Sequence, residues 1–126
     1  MRKSTLNVYN GTVSTGGLTI TTDPSFNGPL GEGNQIAAQI LVNLVSGTTP
    51  AFTFRVQHSA NGTDWINRNT NPEVNGVALT AGTLNSFLVQ DAGATPLLSY
   101  VRFQLTVTGA TAQAQVAVWV TTRDNA

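Results

Sequence analysis

The chain has 126 residues, of which only 10% are charged, and its six Lys and Arg residues balance its six Asp and Glu residues. This charge pattern excludes an electrostatic nucleic-acid binder, which needs a basic patch for phosphates, and a polybasic membrane-surface domain. The absence of cysteine excludes a disulfide framework and a thiolate metal site, and the length suits one domain.

The N-terminal part combines short predicted strands with one irregular stretch. The chain begins basic but lacks a following apolar stretch, so we expect neither a signal peptide nor a membrane-spanning segment. Short strands are predicted over residues 6–9 and 17–22, and residues 21–34 hold two Pro and three Gly. We therefore predict an N-terminal arm with short strands and a loop over residues 1–34. A sandwich core over residues 35–126 follows, in one domain overall.

Residues 35–45, QIAAQILVNLV, are predicted as a strand, because every second side chain from Ile36 to Leu44 is apolar and a Ser-Gly turn follows. A helix is the alternative for this segment. Alternation of apolar and polar residues predicts three further strands that bury one face, and they cover residues 52–59, 101–108 and 114–120. Shorter strands are expected over residues 65–68, 77–79 and 86–90.

Turn residues separate the predicted strands. Asn61-Gly62 is a hairpin signal, since a tight turn needs positive φ at two successive positions. Trp65 follows and is expected to lie against the preceding strand and close the end of the sandwich. Residues 108–111, Thr-Gly-Ala-Thr, are predicted to form a second hairpin between the last two strands. About eight short strands without a crossover helix predict an all-β fold, a single antiparallel β-sandwich or jelly roll.

Groups that could catalyse a reaction or bind a metal are scarce and scattered. His58 is the only histidine and lies at the end of an apolar strand face, where we expect a structural role. The six carboxylates fall in predicted loops or at strand ends, without the facing pair of a glycosidase or the alternating acids of a calcium loop. The glycine-rich residues 28–33 lack the lysine of a phosphate-binding loop. We therefore predict no enzyme, no catalytic residue, no cofactor and no metal.

Several strands carry apolar residues on the face that alternation assigns to solvent. Successive side chains of a strand point to opposite faces, so Trp119 faces away from the side that Val118 buries. By the same alternation, Tyr100, Leu41 and Val45 fall on the outer face of their strands. Three interpretations are open for this second face. They are a bulge that turns Trp119 into the core, a subunit interface with aromatic anchors, and a platform on which sugar rings stack.

Residues 54–66, FRVQHSANGTDWI, resemble a pattern in structural proteins of tailed bacteriophages. In that pattern a strand runs into Ser-x-Asp/Asn-Gly, and Trp follows after two intervening residues. Here it is Ser59-Ala60-Asn61-Gly62-Thr63-Asp64-Trp65, and residues 100–109, YVRFQLTVTG, resemble the companion strand of the same proteins. The two pieces cover about a fifth of the chain. Similar Asn-Gly-x-x-Trp hairpins occur in carbohydrate-binding and Ig-like modules.

The resemblance implies a β-sandwich or jelly roll on a virion, and in particular a capsid decoration or cement protein. Copies are expected to associate as a trimer and to clamp neighbouring subunits of the major capsid protein, in a virion assembled in the host cytoplasm. The arm of residues 1–34 is expected to reach a neighbouring subunit. No nucleic acid or membrane is expected as a partner. Alternatives are a tail or head–tail connector component and a carbohydrate- or receptor-binding module.

The low charge of the chain fits a surface that other subunits cover, because a soluble monomer usually keeps a more charged surface. The expected oligomer or capsid interface residues are Trp119, Tyr100, Leu41 and Val45, and the expected structural hairpin residues are Asn61, Gly62 and Trp65.

Overall fold

The structure, a computed structural model, describes residues 3–16, 18–21, 35–90, 97–98 and 100–123. Its strands pair antiparallel, and no residue in these ranges is helical, so the all-β prediction is confirmed. Residues 35–45 are strand, not helix. The described residues form the strands β1 (Lys3–Ser14), β2 (Leu18–Thr21), β3 (Gln35–Ser59), β4 (Ile66–Asn67), β5 (Val74–Ala78), β6 (Asn85–Gln90) and β7 (Tyr100–Arg123).

The strands β3 and β7 are unusually long and pair with each other from end to end. They have 25 and 24 residues, and their register runs from Gln35 opposite Arg123 to Ser59 opposite Tyr100. A straight strand of that length would span about 80 Å, far more than the width of a domain of this size. Both strands therefore bend, and the register shifts between Asn43 and Ala51 mark the bend.

Backbone in the left-handed region builds this bend. Leu44, Gly47 and Thr49 of β3 have φ values of 50°, 105° and 46°, and Gly109 of β7 has 119°. A Cβ on Gly47 would lie 2.5 Å from the Cα of Ala112 in the opposite strand, and a Cβ on Gly109 would lie 2.5 Å from the Thr48 carbonyl oxygen. Both glycines are required, because the two backbones approach too closely for any side chain.

The bend divides the strands into two packed layers. Layer 1 contains β1, residues 112–123 of β7, residues 35–43 of β3, and β6. Layer 2 contains β2, residues 100–108 of β7, residues 51–59 of β3, and the short β4 and β5. The Phe52 ring of layer 2 stacks on the Phe87 ring of layer 1, with centroids 5.6 Å apart. The result is an antiparallel β-sandwich.

The core lies between the inner faces of the two layers and is built by alternation. Ile40 and Val118 from layer 1 and Phe54 and Phe103 from layer 2 are fully buried. Since β-branched and aromatic side chains fill a pleated, half-buried surface well, these runs form strands that bury one face. The Phe54 and Phe103 rings also stack, with centroids 5.7 Å apart.

Residues 108–111 do not form the predicted hairpin. The strand β7 continues through them, and both of its halves pair with β3 rather than with each other. Gly109 does adopt positive φ. The turn chemistry is therefore used to bend one strand pair over the core and not to reverse the chain.

Val45 is not on the outer face, and the prediction that placed it there is wrong. Val45 is buried in the core, whereas its neighbour Leu44 is 73% exposed. Leu44 has positive φ, and the pairing register shifts directly after Asn43. Such a bulge reverses the alternation, so the residue expected inside points outward and the next one points inward.

Two strands from the predicted arm lie within the sandwich. β1 pairs with the C-terminal half of β7 from Lys3 to Ser14, and β2 pairs with its N-terminal half. Between them, the Thr15 hydroxyl donates a hydrogen bond to the Gly109 carbonyl at 2.9 Å, directly at the bend of β7. The irregular stretch predicted over residues 21–34 begins at the last residue of β2, and residues 22–34 lie outside the described residues.

Deleting residues 1–34 is expected to destabilise the sandwich and not merely to release an arm. The deletion removes the whole β1 ladder and the buried side chain of Val13, and leaves the edge of β7 unpaired. We expect the melting temperature, followed by circular dichroism, to fall by more than about 10 °C. An unchanged melting temperature would show instead that these residues form a separable arm.

Candidate interaction surface

The predicted hairpin joins β3 to β4, although its turn differs from the expected one. His58 lies opposite Ile66, and Gly62 has a φ of 76°. Asn61 does not share the positive φ that a two-residue hairpin turn would need. Instead, its Oδ1 atom accepts hydrogen bonds from the backbone N–H groups of Thr63 and Asp64, each at 2.9 Å. The Asn61 side chain therefore shapes this longer loop.

Trp65 lies on the outer side of layer 2, where it is half-buried. The guanidinium carbon of Arg102 is 4.6 Å from the centre of the Trp65 ring, which is a cation–π contact. The Nε–H group of Arg102 also donates to the Gln57 Oε1 atom at 2.6 Å. Tyr100 belongs to the same end, because a Cβ on Gly62 would lie 3.4 Å from the Tyr100 ring. This group of Trp65, Tyr100 and Arg102 is called the hairpin end below.

Trp119 lies in the other layer. Val118 and Val120 face the core with no exposure, and Trp119 between them points to the opposite side and is half-buried. The pairing of Trp119 with Gln39 continues to that of Ala117 with Leu41 without a register shift. No bulge therefore turns Trp119 into the core. Leu41 lies on the same outer side as Trp119. Tyr100 and Val45, which were predicted to lie with them, are not on this side.

The part of the outer side of layer 1 whose side chains the structure describes is called the Trp119 face below. Its members all have the outer parity and are exposed or half-buried. They are Asn7, Asn10 and Thr12 of β1, Gln115, Ala117, Trp119 and Thr121 of β7, Ala37, Gln39, Leu41 and Asn43 of β3, and Ser86, Leu88 and Gln90 of β6.

The Trp119 face has two depressions separated by Leu41. One, of about 290 Å³, is lined by Trp119 and Leu88 among others, and the second, of about 270 Å³, is lined by Leu84 and Asn10 among others. Leu88 is 83% exposed at the rim of the first depression. Leu84 and Leu88 are not among the contact residues that the sequence predicts. The run Phe87-Leu88-Val89 could have indicated Leu88, because alternation directs its side chain away from the core.

None of the side chains given above for the Trp119 face is charged. Layer 2 differs, because Arg55 and Arg102 lie on its outer side. Cores of protein interfaces are depleted in charged residues and enriched in aromatic ones. A neutral face with one tryptophan and two leucines therefore has the composition of a contact surface.

No constellation for catalysis or metal binding is present in the part of the chain that the structure describes. His58 is buried, and its Nδ1 atom accepts a hydrogen bond from the Leu98 backbone N–H at 3.3 Å. The Glu73 carboxylate accepts from the Val56 N–H at 2.8 Å, which joins the loop before β5 to β3. No group of three or more His, Asp or Glu residues in these ranges could hold a metal ion. Asp23, Glu32, Asp91 and Asp124 lie outside the described residues.

Over the same ranges, no helix is long and apolar enough to cross a membrane.

No protein-family model matches this sequence, and no curated protein matches it. Solved structures of infectious bursal disease virus do share its fold. A structure of the Gx strain superimposes with a TM-score of 0.60 at 16% identity, and covers 98% of this chain and 33% of that one. The structure of the T13 viral particle gives a TM-score of 0.62 at 14% identity, over 98% of this chain and 31% of that one.

The VP2 protein of the same virus, in derived T=1 particles of a D431N mutant, gives a TM-score of 0.59 at 14% identity, over 97% of this chain. This chain spans about a third of the length of these capsid proteins. At such identities the likeness shows the fold alone. The chain therefore has the β fold of a segment of viral capsid proteins.

Proposed function

We propose that this chain is a non-enzymatic virion protein that decorates or cements a capsid. Copies associate as a trimer around a symmetry axis and hold neighbouring subunits of the major capsid protein together. The protein resides in the virion, which is assembled in the host cytoplasm. The proposal goes beyond the shared fold, and the observation that carries it is the uncharged Trp119 face.

The physical argument is the cost of moving charges out of water. Removing an ion from water without a partner costs several kcal/mol, whereas neutral polar and apolar groups are covered at far lower cost. The side chains given for the Trp119 face come from four strands, and none of them is charged. An assembly component needs such a face, and adhesion through it requires neither cofactor nor catalytic group.

The hairpin end is the surface that we assign to the capsid contact. It combines a tryptophan, a tyrosine and an arginine in one place, since Arg102 stacks on Trp65 and Tyr100 packs on the same loop. These three residue types dominate the binding energy of protein interfaces. Because the hairpin end and the Trp119 face lie in different layers, one chain can contact a second copy and a capsid subunit at once.

Electron microscopy of particles with and without this protein tests the proposal. Purified chain added to particles that lack it is expected to appear as density at symmetry-related positions on the shell, and to raise the temperature at which the shell ruptures. Density confined to the tail or to a single vertex would favour a tail or connector component. Absence from particles, together with binding on a glycan array, would favour a carbohydrate-binding module.

A further inference from the structure

We infer that Arg55 and Arg102 bind a carboxylate group of the capsid subunit that this chain contacts. The inference rests on the proposed function and names the chemistry of the partner at the hairpin end: an acidic side chain of the major capsid protein. Both arginines lie on the outer side of layer 2 and are half-buried there. Arg102 is a member of the hairpin end, and Arg55 lies beside it on β3.

The two arginines are close neighbours across the pair of β3 and β7. Arg55 lies opposite Gln104, and Arg102 lies opposite Gln57, so the two arginines are diagonal neighbours on one face. Diagonal neighbours in an antiparallel pair are about 7–8 Å apart, a distance that long side chains span. A carboxylate placed between the two can therefore accept hydrogen bonds from both guanidinium groups.

Arg102 is held in place and still has donors for a partner. Its Nε–H group donates to the Gln57 Oε1 atom at 2.6 Å, and the Gln57 Nε2 group donates to the Asn67 Oδ1 atom at 2.8 Å. Its guanidinium also stacks on the Trp65 ring. In the part of the chain that the structure describes, neither Nη group of Arg102 has a hydrogen-bond partner. The guanidinium is therefore oriented before a partner arrives, and binding costs less entropy.

Arg55 has a guanidinium group without a partner. Within the described ranges this group makes no hydrogen bond or ion pair, and its Nη1 atom is also shielded from solvent. A charged donor that lacks both water and an acceptor is unfavourable. Part of the dehydration that binding demands of a charged group has therefore already taken place in the free chain. Arg55 as a whole is half-buried rather than buried, so part of the residue remains accessible to a partner.

Charge complementarity selects an acidic partner, because nothing else on this side of layer 2 is charged. The strands β4 and β5 contain no charged residue. Apart from the two arginines, the residues at outer positions of the other strands of layer 2 are all uncharged. They are Thr19 and Thr21 of β2, Ala51, Thr53, Gln57 and Ser59 of β3, and Tyr100, Gln104, Thr106 and Thr108 of β7.

The acids of the adjoining loops do not neutralise the two arginines. The Asp64 carboxylate accepts a hydrogen bond from the Asn61 side chain at 2.9 Å. The Glu73 carboxylate accepts from the Val56 N–H at 2.8 Å and from the Asn69 side chain at 3.1 Å. Neither carboxylate is paired with an arginine of this pair. A carboxylate of the partner supplies the missing counter-charge, whereas the phosphates of a nucleic acid need a more extended basic surface.

Cosedimentation with capsid particles that lack this protein tests the inference. We expect Arg55→Gln and Arg102→Gln each to weaken binding of the full chain by about tenfold or more, because each removes charge-assisted hydrogen bonds to the carboxylate. Arg123→Gln is the matched control. It removes the same charge at the end of β7 in layer 1, opposite Lys3, and should change binding by less than about twofold.

Two further measurements separate a lost contact from a damaged fold. Arg102→Lys keeps the charge but not the planar group with its several donors, so its binding should fall between those of the wild type and Arg102→Gln. Raising the salt from about 0.05 M to about 0.5 M should weaken the wild type more than the variant that carries both glutamines. Circular dichroism should give the same spectrum for all of these chains.

The outcomes distinguish this inference from the capsid role. Glutamine variants that bind particles as tightly as the wild type, or an Arg123→Gln variant weakened as much as they are, would overturn the inference and leave the capsid role in place. A wild type that binds no particles at either salt concentration would refute the capsid role and this inference with it. Equal binding to a duplex DNA fragment, lost in the glutamine variants, would show a phosphate ligand and also overturn it.

Discussion

Gly47→Ala is expected to lower the free energy of unfolding by about 3 kcal/mol or more, whereas Gly16→Ala should cost only about 1 kcal/mol. The two glycines have nearly the same positive φ, 105° and 107°, so an alanine at either position adopts an unfavourable φ. At Gly47 the new Cβ would lie 2.5 Å from the Ala112 Cα, while at Gly16 no atom lies within 4 Å. Urea denaturation followed by circular dichroism measures both losses.

The difference between the losses of unfolding free energy in the Gly47→Ala and Gly16→Ala variants measures the contribution of the close contact between β3 and β7 at the bend. Gly109→Ala should resemble Gly47→Ala, because its Cβ would lie 2.5 Å from the Thr48 carbonyl oxygen. Equal losses for Gly16→Ala and Gly47→Ala would contradict the prediction. They would show that the two strands move apart at little cost and that the close approach is not what holds the layers together.

Phe54→Ala is expected to remove about 4 kcal/mol of unfolding free energy. Phe54 is fully buried and stacks on Phe103 with ring centroids 5.7 Å apart. Domains of this size have only about 5–15 kcal/mol in total, so this one truncation leaves a marginal fold. Leu88→Ala is the control, because Leu88 is 83% exposed and should lose at most about 0.5 kcal/mol.

A double-mutant cycle separates the stacking of the two rings from simple burial. Phe54→Ala and Phe103→Ala together should lose about 0.5–1.5 kcal/mol less than the sum of the single losses. Additive losses would mean that the two rings contribute only through burial. A Phe54→Ala variant as stable as the Leu88→Ala control would contradict the two-layer core itself.

Local alternation predicted most of the burial pattern. From Phe52 to His58 and from Val101 to Val107, every residue that alternation assigns to the core is buried. Val116, Val118 and Val120, which alternation also assigns to the core, are buried as well. A period of two is a property of the extended backbone itself, so it can be read within a run without knowing what the run packs against.

Whether the chain reverses or bends between two successive runs could not be predicted from alternation. Gly47 and Gly109 have the residue type and the positive φ of turn glycines, and a reversal was the natural prediction for residues 108–111. Whether such a glycine reverses a chain or bends it depends on which strand lies alongside. That neighbour is β3, more than 50 positions away in the sequence, and no local pattern contains it.

Local alternation placed some of the predicted contact residues correctly and misplaced others. Alternation placed Trp119 and Leu41 on the outer side, where the structure has them, and their role as contact residues stays a prediction. It misplaced Val45, because the bulge at Leu44 turns the residue that follows it to the other face. Tyr100 was expected with Trp119, but it lies in the other layer beside Gly62.

By itself, the sequence determined the all-β class, the buried side of each uninterrupted run and the scarcity of charge. Each of these depends on residue type and on a period of two, both of which are local. Only the tertiary structure decided that β3 and β7 are single bent strands, and that the neutral side chains of four strands gather on one face of layer 1. Strand pairing over long separations decides such features, since it selects which of several locally equivalent backbones buries the most apolar surface.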